Sequence, residues 1–151
     1  MGRIIAGGEN RGCEMKWKDE YSVGIEEIDN QHKTLLQFVA DFERAAEGKA
    51  HWNTVQPLIA RTREFVKFHF AVEESLMQMV RYSRSAAHRA EHQDILEQLA
   101  TLEHRVLRQE AKGELLQLMN TWLVEHIIES DKPFARYALD LFPDLASAGT
   151  E

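Results

Sequence analysis

The chain is poor in the residues that staple or interrupt a fold. It has one cysteine, Cys13, so no disulfide can close within it, and a reducing compartment, the cytoplasm, is the simpler expectation. Proline occurs only at positions 57, 133 and 143, which leaves long stretches free to be helical. Runs of Val, Ile and Thr in period-two alternation are missing, which argues against strands. No apolar run approaches a membrane span, and the N-terminus lacks the apolar stretch of a signal peptide. No cluster of Lys and Arg stands out, and the formal net charge is −7. That balance argues against nucleic acid and anionic membrane surfaces as partners.

What is present suits one domain with one core: 151 residues, 44% of them hydrophobic. Residues 1–14 break from the rest, with Gly2, Gly7, Gly8 and Gly12 among mixed charges. They are expected to be a poorly ordered extension outside a domain spanning 15–142, with 143–151 as a C-terminal tail.

Apolar residues recur at helical spacing in four blocks. The first helix is expected to open at Asp29 as N-cap and to stop at Gly48, with His32, Leu35, Leu36, Val39 and Phe42 on one face. The second opens near Asn53, holds Pro57 in its first turn, and carries Phe65, Val66, His69, Glu73 and Leu76 on its stripe. The third opens near Ser85 and aligns His88, His92, Ile95 and Leu99. The fourth begins around 112–114, aligns Leu115, Met119, Trp122, Leu123 and His126, and is expected to end at Pro133. Short loops between such helices imply an all-α, up-down-up-down four-helix bundle, with an extended N-terminal arm and a short closing helix over 134–142.

Five of the seven histidines fall on the inward stripes. Burying five imidazoles without partners is costly, and a bound metal relieves the cost. His69 and Glu73 are spaced i,i+4, as are His88 and His92, so each pair shares a helix face. His126 and Asp131 are spaced i,i+5, about 140° apart on a regular helix, and need a widened turn to align. In an antiparallel bundle all seven positions lie toward one end.

Five nitrogens and two carboxylates are too many for one metal. Two metals sharing both carboxylates and one solvent oxygen would split the histidines three and two. One metal is then closed and the other keeps an open position. Imidazole and carboxylate without thiolate suit iron or manganese, whereas zinc prefers a smaller tetrahedral set. Residues 88–92 also spell H-x-x-E-H, a zinc-protease signature with Glu91 as base. That reading leaves His32, His69, Glu73, His126 and Asp131 unexplained. A ferritin-like di-iron oxidase needs Glu-x-x-His pairs, and no Glu here has a His three residues on.

The stretches WKDEYSVGIEEIDNQHKTL (17–35), HFAVEESLM (69–77), HRAEH (88–92) and WLVEHIIESD (122–131) resemble the hemerythrin family in its single-domain bacterial form, over roughly residues 17–138. The family pattern is a lone His, then H-x3-E, H-x3-H and H-x4-D, and every position is filled. The resemblance implies two iron ions with a solvent-derived oxo or hydroxo bridge. His88, His92 and His126 would bind the closed iron, His32 and His69 the iron with the vacant position, and Glu73 and Asp131 would bridge them. It further implies reversible O2 binding at the open iron, for storage, delivery or sensing, with Leu123 lining the oxygen pocket and no catalytic residue. The alternative is a di-iron enzyme acting on peroxide or nitric oxide. The inner stripes offer no spare acid or base for O–O cleavage, which favours the carrier. One departure is the turn after the second helix, Tyr82-Ser83-Arg84-Ser85 where the family often has a Gly-Tyr-Pro-like turn. His51, His104, Glu74, Glu91 and Glu103 are expected to take no part in the centre, with Glu74 and Glu91 as surface charges.

Overall fold

Helices form where apolar side chains recur every three and four residues: α1 (Glu26–Glu47), α2 (Trp52–Met79), α3 (Ser85–Leu107) and α4 (Lys112–His126). A π-helical turn (Ile127–Asp131) carries α4 without a break into α5 (Lys132–Leu141). The structure is a computed structural model that describes residues 16–47, 52–107 and 112–147. The expected extension at 1–14, the stop at Gly48 and the loop position His51 lie outside the described residues.

Each long helix packs on the one before it, and α1 closes the ring against α4, giving the up-down-up-down bundle. The interior is apolar through most of its length, with Phe42, Val66, Met77, Leu99 and Leu115 buried. The exception is one end, where the start of α1, the end of α2, the start of α3 and the π turn meet. On the α2–α3 face, buried Glu103 is paired with Arg63 and takes no part in that end. His104 is exposed.

Three expectations about helix ends are corrected. Asp29 is not the N-cap of α1, which opens at Glu26. Its carboxylate instead reaches back to accept hydrogen bonds from Ser22 Oγ at 2.5 Å and the Val23 amide at 2.8 Å. It thereby pins the turn at Gly24, whose φ of +87° favours glycine and where an added Cβ would sit 3.1 Å from a Leu139 methyl, a crowded contact. Pro57 lies in the second turn of α2, because that helix opens at Trp52. Pro133 does not end the fourth helix. It falls in the first turn of α5, just after the π turn, where a missing amide interrupts least.

The connection from α2 to α3 is a Schellman-type stop. The Tyr82 amide donates to the Met77 carbonyl at 3.0 Å, and Arg81 takes the left-handed position at φ +52°. Residues 143–147 form a 3-10 turn whose Leu145 packs on the core.

Candidate metal centre

Seven polar side chains are buried together at that end: His32 from α1, His69 and Glu73 from α2, His88 and His92 from α3, His126 from α4 and Asp131 from the π turn. None exceeds 6% exposure. They form two sets, Glu73–His88–His92–His126–Asp131 and His32–His69–Glu73–Asp131, and within each set the ligand-type atoms lie within 4.8 Å of one another.

The two carboxylates belong to both sets, and each turns one oxygen toward each. Asp131 Oδ2 is 3.0 Å from His32 Nε2, while Oδ1 is 3.0 Å from both His88 and His126 Nε2. Glu73 Oε1 is 2.5 Å from His69 Nε2, while Oε2 is 3.2 Å from His88 and 3.4 Å from His92. The π turn makes this arrangement possible, because i→i+5 pairing brings Asp131 into line with His126.

The nitrogens also crowd. Nε2 of His126 is 3.3 Å from that of His88 and 3.1 Å from that of His92, and those of His32 and His69 are 3.2 Å apart. Three of the rings have their outer nitrogen committed. His69 Nδ1 donates to Gln31 Oε1 at 2.7 Å, His92 Nδ1 to Glu74 Oε1 at 3.0 Å, and His126 Nδ1 to Glu91 Oε2 at 3.2 Å. A proton held on Nδ1 leaves a bare lone pair on Nε2. Lone pairs therefore face lone pairs and carboxylate oxygens. Both oxygens of Glu73 and Asp131 Oδ2 are buried without a directed hydrogen bond, although histidine nitrogens stand close by. Buried acceptors aimed at common points and not at donors are what a cation relieves.

The electrostatics agree. Burial opposes charge on Glu73, yet the surrounding imidazoles, His69 first and then His32 and His88, hold it well below the usual carboxylate range. Burial and the neighbouring Glu73 push Asp131 up, but His126 and His32 outweigh them and hold it low. Burial disfavours charge on His32 and His88, and Asp131 with Glu73 nonetheless lifts both to about 9. His126 is raised for the same reason. Two fixed anions in a dry pocket demand positive charge, from protons or from metal.

Around this set, Phe70 stacks on His92 at 3.7 Å with planes 6° apart, and Trp122 lies over His126 at 5.8 Å. Leu123 is buried on α4, three residues before His126.

Glu74 and Glu91 stand outside the ligand clusters and Glu91 is exposed, as expected, but neither is a bystander, since they hold His92 and His126. Both are off the inner face, yet a glutamate is long enough to reach the outer nitrogen of a histidine on the next helix. Gln31 was not anticipated at all. Each of the three adjoins one of the seven residues in sequence but supports a different helix: Gln31 beside His32 serves His69, Glu74 beside Glu73 serves His92, and Glu91 beside His92 serves His126.

A family model described as the hemerythrin HHE cation binding domain matches residues 23–138. A bacteriohemerythrin of Pseudomonas aeruginosa is 33% identical over 116 residues, spanning 76% of this chain and 75% of that protein. The myohemerythrin of Sipunculus nudus is 31% identical over 111 residues, spanning 74% and 82%. In three dimensions the chain is similar to a crystal structure of a hemerythrin leucine-to-alanine mutant, with a TM-score of 0.74 and 28% identity over 82% of this chain and 96% of that one. With the family model covering the whole bundle and the same fold in a solved hemerythrin, the chain belongs to the hemerythrin family.

Proposed function

We propose that the centre holds two iron ions and binds O2 reversibly, as a cytoplasmic protein of oxygen storage, delivery or sensing. His88, His92 and His126 are read as ligands of one iron, His32 and His69 as ligands of the other, and Glu73 and Asp131 as bridges. The observation that carries this is the sharing of both carboxylates, one oxygen to each set. The odd histidine count then leaves the His32–His69 side one ligand short, the natural place for a small gas. A ferrous pair, when bound, supplies the electrons that hold O2. The chain's own part is to orient the imidazoles through Gln31, Glu74 and Glu91, to clamp two rings with Phe70 and Trp122, and to keep water out. Leu123 is read as part of the apolar wall facing the gas.

Carriage is favoured over turnover by the placement of the remaining buried acids. Among the described residues these are Asp29 and Glu103, and both are engaged away from the centre, with Ser22–Val23 and with Arg63. Neither can relay a proton to a bound oxygen. Within this reading residues 15–142 are the functional unit, and a chain starting at Met15 folds and loads metal.

The test is iron analysis with spectroscopy. Two irons per chain are expected, and admitting O2 to the reduced protein should raise a visible absorption band that fades on degassing. One zinc and no iron would refute the metal assignment. Rapid consumption of peroxide or nitric oxide in stopped flow, with no reversible O2 band, would favour the di-iron enzyme.

A further inference from the structure

The supports behind the histidines are unequal, and the inequality follows the two sets. In the three-histidine set, His92 and His126 each donate from Nδ1 to a carboxylate, Glu74 and Glu91. Both carboxylates are held in place, since Ser130 Oγ donates to Glu91 at 2.6 Å and Arg89 Nε lies 3.5 Å from the second oxygen of Glu74. In the two-histidine set, His69 donates to Gln31, a neutral amide oxygen. His32 Nδ1 is buried with no partner among the described residues. The chain of supports running from α1 to α2, α2 to α3 and α3 to α4 thus stops short of returning to α1.

A carboxylate behind an imidazole raises its basicity and its hold on a metal, and a neutral amide does so far less. The same set also has one more nitrogen donor. Resting on the di-iron reading above, we propose that the two halves bind metal with unequal affinity. The three-histidine set backed by Glu74 and Glu91 fills first and empties last, and the His32–His69 set is the exchangeable half. Glu74, Glu91 and Gln31 are positioning residues: they set the difference without touching metal or gas. The half that is left one ligand short is thereby also the half whose metal is most easily lost.

The test is anaerobic titration of the metal-free full-length chain with ferrous iron against a competing chelator, with imidazole N–H resonances followed by NMR. Two affinity classes are expected. The His92 and His126 N–H signals should be displaced or broadened with the first equivalent, and that of His69 with the second. Glu74→Gln and Glu91→Gln should each weaken the first class by about 10–100-fold while leaving the second nearly unchanged. Gln31→Glu should strengthen the second. All three replacements keep side-chain size, so folding is preserved. Displacement of the His69 signal first, a single affinity class, or equal weakening of both classes by the glutamine variants would overturn the order of filling while leaving the di-iron reading intact. Failure of the unaltered chain to bind ferrous iron would sink both.

Discussion

His126 Nε2 and Asp131 Oδ1 stand 3.0 Å apart although the two residues are five positions apart on one unbroken helical path. A regular α-helix would turn them about 140° away from each other. The π turn over Ile127–Asp131 supplies the extra residue per turn that aligns them. Because Asp131 faces His32, His88 and His126 at once, the proposed di-iron centre predicts that Asp131→Asn lowers the iron content from the expected two per chain to one or none. Elemental analysis checks this, and a variant that keeps both irons would show that Asp131 is not shared.

The metal-free chain should be sensitive to pH in a defined direction. Burial opposes the charge, but Asp131 and Glu73 raise His32 and His88 from 6.5 to about 9 in the folded state. Groups whose folded value is raised stabilise fully below the unfolded value and lose that contribution as pH climbs through the folded one. Glu73 and Asp131 are lowered from 4.5 and 3.8, so their contribution is present above those values and lost on acidification. Thermal melts of the metal-free protein should therefore peak between about pH 5 and 6.5 and decline toward pH 10. Loading metal replaces the same protons, so an unbuffered titration at neutral pH should release acid. A melting temperature that rises from pH 6 to pH 10 would contradict the assignment.

Two backbone positions should respond in opposite directions. Arg81 occupies a left-handed turn at φ +52°, where a side chain is strained, so Arg81→Gly should stabilise by roughly 0.5–1 kcal/mol. Gly24 holds φ +87° with a Leu139 methyl 3.1 Å from where a Cβ would sit, so Gly24→Ala should destabilise by about 1–3 kcal/mol. Urea denaturation of both variants measures the pair.

Leu123 is 2% exposed, and Leu123→Ala should cost roughly 2–5 kcal/mol through the cavity it leaves. If its side chain also walls the gas site, the O2-dependent band should decay several times faster in the variant at unchanged iron content. A band as long-lived as that of the unaltered chain would confine Leu123 to packing.

Four helices and the seven convergent residues are legible in the sequence, because amphipathic spacing is a local property. Histidines on a stripe otherwise filled by Leu, Val and Phe are conspicuous. The ends of elements were less legible. Asp29 has the chemistry of a cap but turns back to Ser22 and Val23, seven and six residues earlier and ahead of the helix. Pro133 reads as a terminator, yet a π turn just ahead of it changes which amide the helix needs.

By itself the sequence determined the helical periodicity, the face on which each histidine lies, and the end of the bundle where those faces meet. All follow from rise and turn per residue. Only the tertiary structure decided which side chain stands behind which imidazole. Gln31, Glu74 and Glu91 sit off the inner face and reach across to a neighbouring helix, to His69, His92 and His126. Such contacts depend on interhelical distance and side-chain length, and no spacing within one helix encodes them.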